Sequence, residues 1–126
     1  MLEKFLKSVN NRSIGTEKEQ LAKEYLLSKG YQVLEMNFRC RMGEVDIVAR
    51  DGQYLCFVEV KYRTGKQTGS PEQAVDTRKQ NRICRVADFY MLQHKLGYDT
   101  AVRFDVVAIT PENMTLYKNA FYYRER

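Results

Sequence analysis

The chain is poor in the side chains that bind zinc. It has a single histidine, His94, and three cysteines that lie far apart, Cys40, Cys56 and Cys84. Because no C-x-x-C pair is present, a zinc site would have too few ligands at suitable spacing. An odd number of scattered thiols also indicates a reducing cytoplasm. Cys56 lies in an apolar segment, which predicts a small buried thiol.

Long apolar stretches are missing as well. No run of apolar residues approaches the ~18 that cross a membrane. The first residues, MLEKFLKSVNNRS, mix charges and lack the apolar region of a signal peptide. Internal repeats, low-complexity segments, interdomain linkers, recognition-helix motifs and zinc fingers are also absent. These absences predict a cytoplasmic protein with neither a membrane span nor a module that reads base sequence.

What remains is the composition of a globular domain with a basic surface. The 126 residues are 44% hydrophobic and 29% charged, which suits one domain with a modest core. The net charge of +5 and the pI near 9.1 favour a polyanionic partner, although many proteins without such a partner are equally basic. We interpret residues 1–13 as a loosely packed lead-in and residues 14–126 as a single domain.

Periodicity and end signals predict the order α-β-β-β-α-β-β. Thr16 and Glu19 match a capping box at the start of the first helix, and Gly30 ends that helix. Pro71 is predicted to open the second helix, and Gly97 to close it. The strands are predicted at residues 31–39, in a hairpin over 43–63, and at 102–110 and 114–120.

This order indicates an α/β fold. Three antiparallel strands would form a meander, and the second helix is long enough to cross over and place the fourth strand parallel to the third. We therefore predict a mixed sheet of about five strands, an antiparallel meander plus a parallel crossover, flanked by helices.

Charged residues interrupt the apolar pattern of the hairpin, whose sequence is GEVDIVARDGQYLCFVEVKYR. The dipeptide Asp51-Gly52 suits a two-residue type I′ turn, which fixes the register of the two strands. The predicted register pairs Arg50 with Gln53, Asp46 with Phe57, and Glu44 with Glu59.

That register places four charged residues on one face of the hairpin, namely Glu44, Asp46, Glu59 and Lys61. The opposite face would enter the core with Val45, Ile47, Val58 and Val60. Asp46 and Glu59 would be diagonal neighbours about 7–8 Å apart, close enough to share a hard cation such as Mg²⁺. Lys61 alone cannot balance three carboxylates, so a divalent metal would neutralise the excess charge. The alternative is a solvated face with a weak Glu59–Lys61 ion pair.

The second helix has an apolar side and a basic side. The apolar side contains Ile83, Val86, Ala87 and Tyr90. The basic stripe contains Arg78, Arg82 and Arg85, with Lys79 beside it. Two interpretations stay open for the stripe: a solvated helix face, or a surface that contacts phosphates.

The hairpin resembles the Asp…Glu-x-Lys core of the PD-(D/E)xK nuclease superfamily, carried by GEVDIVA and FVEVKYR. The likeness extends from about Gly15 to Phe121, through an early E-x-x-A at Glu19 and the segments GYQVLEMNFRCRMGEVDIVA, SPEQAV, K-x-x-R-I, RFDVVAI and KNAF. This ordered set resembles the YraN-like bacterial family, which is related to archaeal Holliday junction resolvases.

The resemblance implies a restriction-endonuclease-like fold, with residues 14–126 as a PD-(D/E)xK nuclease-like domain. It implies that Asp46 and Glu59 are the ligands of Mg²⁺ or Mn²⁺, and that Lys61 positions or activates the attacking water. Glu19 would be an additional catalytic carboxylate, with its capping-box role as the competing interpretation. The role of Glu44 stays open between a ligand and a neighbour.

Basic residues around the acidic centre are expected to contact a phosphate backbone. They are Arg39, Arg41, Arg63, Lys66, Arg78 and Arg82. Thr68 departs from the family pattern, in which an aromatic residue usually precedes the glycine before S-P, so no base stacking is expected from this loop. As in the superfamily, in-line attack would leave a 5′-phosphate and a 3′-hydroxyl.

The function implied is a metal-dependent endonuclease that hydrolyses phosphodiester bonds of DNA, preferably branched or otherwise structured DNA. Two alternatives stay open: a catalytically silent nucleic-acid-binding or accessory protein in DNA processing, and a protein-interaction module with a vestigial site. Because cutting a symmetric junction requires two active sites, a homodimer is a further open alternative.

Overall fold

The computed structural model describes residues 11–63 and 75–125, which form two helices and a five-stranded sheet. The helices are α1 (Asn11–Ser28) and α2 (Thr77–Gln93). The strands are β1 (Gln32–Cys40), β2 (Gly43–Asp51), β3 (Tyr54–Tyr62), β4 (Val102–Ile109) and β5 (Met114–Phe121). The predicted order α-β-β-β-α-β-β is confirmed. Lys66, Thr68 and Pro71 lie outside the described residues, as do residues 1–10.

The strands lie in the sheet in their chain order, β1-β2-β3-β4-β5. β1, β2 and β3 form an antiparallel meander, β4 is parallel to β3, and β5 is antiparallel to β4. α2 provides the crossover between the two parallel strands. The predicted mixed sheet flanked by helices is therefore confirmed. Within residues 11–63 and 75–125, no helix combines the length and the apolar composition that a membrane span requires.

Helix α1 ends as predicted but does not begin as predicted. Its helical backbone already includes Asn11, so Thr16 is inside the helix and the predicted capping box is wrong. At the other end, the N–H of Gly30 donates to Leu27 and the N–H of Tyr31 donates to Leu26. This is the Schellman arrangement, and Gly30 adopts the left-handed φ of +93° that it requires.

Helix α2 is shorter than the sequence predicts at both ends. It begins at Thr77 because Asp76 is the N-cap, with its carboxylate accepting the N–H of Lys79 at 2.8 Å. The prediction that Pro71 opens this helix is therefore wrong. The helix ends at Gln93, where Lys95 takes the left-handed conformation with a φ of +55°, so Gly97 is not its closing residue.

Apolar side chains cover both faces of the sheet, not one. On one face α2 packs over a cluster that includes Val45, Phe57 and Tyr90. On the other face α1 packs over a cluster that includes Ile47 and Val58, together with Cys56, which is buried as predicted. The prediction that Val45 and Ile47 share one core face is therefore wrong. Of the charged residues of the hairpin, Glu59 is buried and Asp46 and Lys61 are partly buried, whereas Glu44 is exposed.

The β2–β3 turn differs from the predicted one by one residue at each strand. Asp51 is paired with Tyr54, so the two turn residues are Gly52 and Gln53, and Arg50 lies opposite Leu55. Gly52 has a φ of +60° and Gln53 has no positive φ, which fits a type II′ turn with glycine first.

Asp51 stays in the strand because its carboxylate is already engaged. Oδ2 of Asp51 binds Arg103 at 2.8 Å and Lys118 at 3.1 Å. Extending the observed register from the Ile47–Val58 pair places Asp46 opposite Glu59 rather than Phe57.

Candidate active site

Regular strand pairing is interrupted at Asp46. The ladder between β2 and β3 reaches only the Ile47–Val58 pair, and Oδ2 of Asp46 then accepts the N–H of Val60 at 2.8 Å. The carboxylate therefore lies between the two strands, where a backbone carbonyl would ordinarily accept. On the other side of β2, Asn37 of β1 has a left-handed φ of +54°, so β1 is also irregular at this point.

A cleft of about 460 Å³ opens beside this irregularity. Its walls come from the end of β1, from β2 and β3, and from the first half of α2. The lining residues are Arg39, Cys40, Gly43, Glu44, Asp46, Glu59, Lys79, Arg82 and Ile83. The cleft thus combines three of the hairpin carboxylates with three basic side chains.

Glu59 is the most unusual residue of the cleft. Its side chain is only 2% exposed, and Oε2 lies 3.2 Å from Nζ of Lys79. Burial raises the pKa of Glu59 to about 7, and the negative charge of Asp46 contributes to the rise, although Lys79 opposes it. An ionised carboxylate at this position is therefore costly unless a cation is nearby.

Lys79 supplies that cation. Burial acts to lower the pKa of Lys79, but the carboxylates of Glu59, Asp46 and Glu44 together outweigh burial and raise it. The pKa values of both partners therefore rise for different reasons: burial raises that of Glu59, and the surrounding carboxylates raise that of Lys79. Lys79 is thus the partner of Glu59, and the sequence-based alternative of a Glu59–Lys61 ion pair is wrong.

Glu19 reaches the same centre from α1. Burial raises its pKa, and the neighbouring Asp46 carboxylate raises it further, while a hydrogen bond from Asn37 acts in the opposite direction. Because α1 begins before Thr16, Glu19 does not cap it, and its carboxyl lies instead beside that of Asp46. Asp46 therefore has Glu19 on the α1 side and Glu59 on the α2 side.

Lys61 and Glu44 are placed less centrally than the other hairpin charges. Lys61 is partly buried on β3 and is not part of the cleft lining; among the described residues it forms no ion pair. Glu44 lines the cleft but is 55% exposed and pairs with Arg39 at 3.0 Å. This ion pair makes Glu44 a counter-ion of Arg39 at the rim of the cleft.

The basic residues expected to contact phosphates are only partly gathered at the cleft. Arg39 and Arg82 line it, and the Cδ of Arg82 lies so close to Gly43 that a Cβ there would be 2.8 Å away. The others are distributed as follows: Arg41 and Arg78 are exposed on the β1–β2 turn and on α2, Arg63 follows β3, and Lys66 lies outside the described residues.

Arg85 does not belong to the basic stripe of α2. It is mostly buried, pairs with Asp88 at 3.2 Å and donates to the carbonyl oxygen of Arg124 at 2.6 Å. Its guanidinium also lies over the ring of Tyr123. The prediction of a three-arginine stripe is wrong because the C-terminal segment covers Arg85.

A family model described as "Uncharacterised protein family UPF0102" matches residues 18–109. The chain belongs to this family. A UPF0102 protein of Lachnoclostridium phytofermentans is 50% identical over 113 residues, covering 90% of this chain and 96% of the relative. A UPF0102 protein of Clostridium kluyveri is 48% identical over 99 residues, covering 79% of this chain and 80% of the relative. The matched segment contains every charged residue of the cleft, and the nuclease relationship stays a prediction.

The carboxylate oxygens of the cleft are the kind of donor that hard cations prefer. Within residues 11–63 and 75–125, no group of three histidine, cysteine, aspartate or glutamate side chains is arranged to hold a metal. Mg²⁺ is nevertheless commonly bound through one or two carboxylates, with waters and substrate phosphates completing its shell. Asp46 and Glu59 bring two carboxylates to the cleft, and Oε2 of Glu59 lies beside the ammonium of Lys79, so a positive charge is accommodated there.

Two residues of this site were missed by sequence reasoning. In the sequence, Lys79 stands out only as a neighbour of the basic stripe, and no pattern singles out Asn37. The spacing of Lys79 before Arg82 and Ile83 puts it near the edge of the apolar face of α2, which was the available signal for Lys79. For Asn37, only the known tolerance of asparagine for left-handed backbone could have pointed to an irregular strand.

The raised pKa of Glu59 gives a stability test. Its folded-state pKa, about 7, exceeds the ordinary value of 4.5, so its contribution to stability is present below pH 4.5 and is lost as the pH rises through 7. The loss is about 3 kcal/mol. We therefore expect Glu59→Gln to be more stable than wild type at pH 8 in EDTA and similar to it at pH 5, measured by urea unfolding.

The control for this test is Glu44→Gln, which removes an exposed carboxylate from the same cleft. We expect its free energy of unfolding to stay within about 1 kcal/mol of wild type at pH 5 and at pH 8, because its ion pair with Arg39 is exposed. If the free energy of unfolding of Glu59→Gln changes with pH in the same way as that of wild type between pH 5 and 8, Glu59 does not carry the buried charge.

Proposed function

We propose that this UPF0102 protein is a Mg²⁺- or Mn²⁺-dependent endonuclease that hydrolyses phosphodiester bonds of DNA, with branched or otherwise structured DNA as the preferred substrate. The observation that carries the proposal is the buried Glu59 carboxylate beside Asp46, at the base of a cleft with basic side chains on its rim. Burying a carboxylate next to another one is unfavourable, and an apolar side chain could fill the same space without that cost. Such an arrangement is typical of a functional site.

The roles of the residues follow from their positions. Asp46 and Glu59 would hold the divalent cation, which supplies Lewis acidity that makes water a better nucleophile and offsets the charge developing on the phosphate. Glu19 would act through Asp46, since it contacts that carboxylate from α1. Arg39 and Arg82 would hold the DNA backbone at the mouth of the cleft.

Lys61 keeps the role that the family resemblance implies. It lies two residues after Glu59 on β3, so its side chain leaves the strand on the same side as Glu59. We propose that it orients the attacking water or the scissile phosphate. The reaction would then leave a 5′-phosphate and a 3′-hydroxyl.

A second candidate function is binding without cleavage. It is favoured by the Lys79–Glu59 pair, which already neutralises one carboxylate. It is also favoured because the described residues offer a metal only two carboxylates, with no group of three potential ligands. In that case the cleft would bind a phosphate backbone through Arg39 and Arg82 in the absence of a metal. DNA binding that weakens with salt, survives Asp46→Ala and is never accompanied by cutting would favour this function.

A nicking panel separates the two functions. We expect wild-type protein to cut a four-way junction or a flapped DNA faster than a linear duplex in Mg²⁺ or Mn²⁺, and to cut nothing in EDTA. The products should carry 5′-phosphates, which can be measured by ligation. If a symmetric junction is the preferred substrate, sedimentation should show a homodimer. Absence of cutting on every substrate and with both metals would exclude the nuclease.

A further inference from the structure

Lys79 lies where a divalent cation bound to Glu59 would also have to lie, beside the carboxylate of Glu59. Its ammonium lies 3.2 Å from Oε2 of Glu59, and its side chain is 40% exposed, so it reaches the buried carboxylate from a solvated position on α2. Asp46 and Glu44 also act electrostatically on Lys79. In the described part of the chain, Lys79 is the cation paired with Glu59.

A metal on Glu59 and an ammonium on the same carboxylate repel each other. The ammonium would therefore leave Glu59 when the site is loaded. Lys79 lines the cleft together with Arg39, Arg82 and Glu44, and Glu44 is already paired with Arg39. An anion entering the cleft would therefore be a favourable partner for the released charge. A lysine ammonium is a common partner of phosphate oxygens, as a point charge without strict geometry.

We propose that Lys79 is a switching residue: it neutralises Glu59 in the metal-free protein and transfers its charge to the DNA backbone when a divalent cation binds. The inference rests on the proposed nuclease function and adds to it that metal loading creates a phosphate contact. Lys79 would thereby couple metal binding to DNA binding, so that the unloaded protein holds DNA less tightly. Lys61, which pairs with no carboxylate among the described residues, would lack this coupling.

The first arm of the test uses metal alone. Calorimetric titration with Ca²⁺ compares wild type with Lys79→Met in the absence of DNA. We expect Lys79→Met to bind Ca²⁺ at least as tightly as wild type, because no ammonium has to be displaced. If removal of Lys79 instead abolishes Ca²⁺ binding, Lys79 builds the site and does not vacate it, and the inference is wrong.

The second arm uses a fluorescein-labelled DNA duplex, with binding followed by anisotropy over a range of salt concentrations in Ca²⁺ and in EDTA. One phosphate contact changes the slope of log K against log salt by about 0.9. We expect the slope of Lys79→Met to be shallower than that of wild type by about this amount in Ca²⁺ and equal to it in EDTA. Lys79→Arg should restore the wild-type slope in Ca²⁺.

Lys118→Met is the matched control, because it removes the same charge from β5, where Lys118 pairs with Asp51 and does not line the cleft. Any effect of Lys118→Met should be the same in Ca²⁺ and in EDTA. Equal losses for Lys79→Met in both buffers, or no loss in either, would overturn the inference while leaving the nuclease proposal intact. A wild-type protein that binds neither Ca²⁺ nor DNA would overturn the nuclease proposal and the inference with it.

Discussion

Asp46→Asn is expected to lower the metal-dependent nicking rate by about 10³-fold or more. Asp46 is proposed to supply one of two carboxylates to the cation, and a bound metal contributes several kcal/mol of transition-state stabilisation, each 1.36 kcal/mol of which is a factor of ten in rate. Asparagine keeps a carbonyl oxygen that can accept the N–H of Val60, so the strand junction should survive. The measurement is the single-turnover nicking rate on the best substrate of the panel.

The matched control for Asp46→Asn is Glu44→Gln, which lines the same cleft at an exposed position. Its nicking rate should stay within a few-fold of wild type, because Glu44 is interpreted as a counter-ion of Arg39. Circular dichroism would establish that both variants are folded. An Asp46→Asn protein that cuts at the wild-type rate would remove Asp46 from the catalytic site.

Arg103→Met is expected to lower the free energy of unfolding by about 3–5 kcal/mol, since it leaves a buried carboxylate without its counter-ion. Asp105 is fully buried on β4, where Arg103 donates to both of its oxygens at 2.9 Å. Tyr31 donates to Asp105 at 2.7 Å, and the backbone N–H of Asn119 donates at 2.9 Å. Urea unfolding at neutral pH measures the loss.

Lys118→Met is the control for Arg103→Met, because it removes a cation that binds Asp51 at the rim of the same cluster. Lys118 is about half exposed, so the cost should be at most about 1 kcal/mol. The double variant Arg103→Met/Asp105→Asn should recover part of the loss, since it leaves no buried charge. Equal effects of Arg103→Met and Lys118→Met would show that the buried cluster does not stabilise the fold.

The order of elements could be predicted from the sequence because its signals are local. Helical spacing, strand alternation and Gly30 all act within one element, and each gave the right element type. The parallel β3–β4 pair also followed, because a strand, a long helix and another strand leave few other topologies.

The register of the hairpin could not be predicted because a distant residue decides it. The dipeptide Asp51-Gly52 favours a turn centred on both residues, but Arg103 and Lys118 hold the Asp51 carboxylate and keep that residue in β2. Nothing in the hairpin sequence indicates that Asp51 binds Arg103, which lies 52 residues further along the chain. The one-residue shift on each strand changes which residue lies opposite Asp46.

The sequence predicts the carboxylates of the candidate site, Asp46 and Glu59. It does not predict that Lys79 is the cation paired with Glu59. Asp46 and Glu59 stand out in sequence because they interrupt apolar strands. The burial of Glu59 and its pairing with Lys79 depend on how α2 lies across the sheet, which no local pattern specifies. The prediction of a three-arginine stripe is wrong because it also depends on tertiary packing: the C-terminal segment covers Arg85.

The most direct measurement is a crystal structure of the wild-type protein soaked in Mn²⁺ at neutral to alkaline pH, with anomalous scattering recorded. We expect an anomalous peak within coordination distance of a carboxylate oxygen of both Asp46 and Glu59, with Nζ of Lys79 moved away from Glu59. A structure in which Mn²⁺ binds elsewhere, or in which Lys79 keeps its 3.2 Å contact with Glu59 and no peak lies between the two carboxylates, would contradict a metal-dependent site at this cleft.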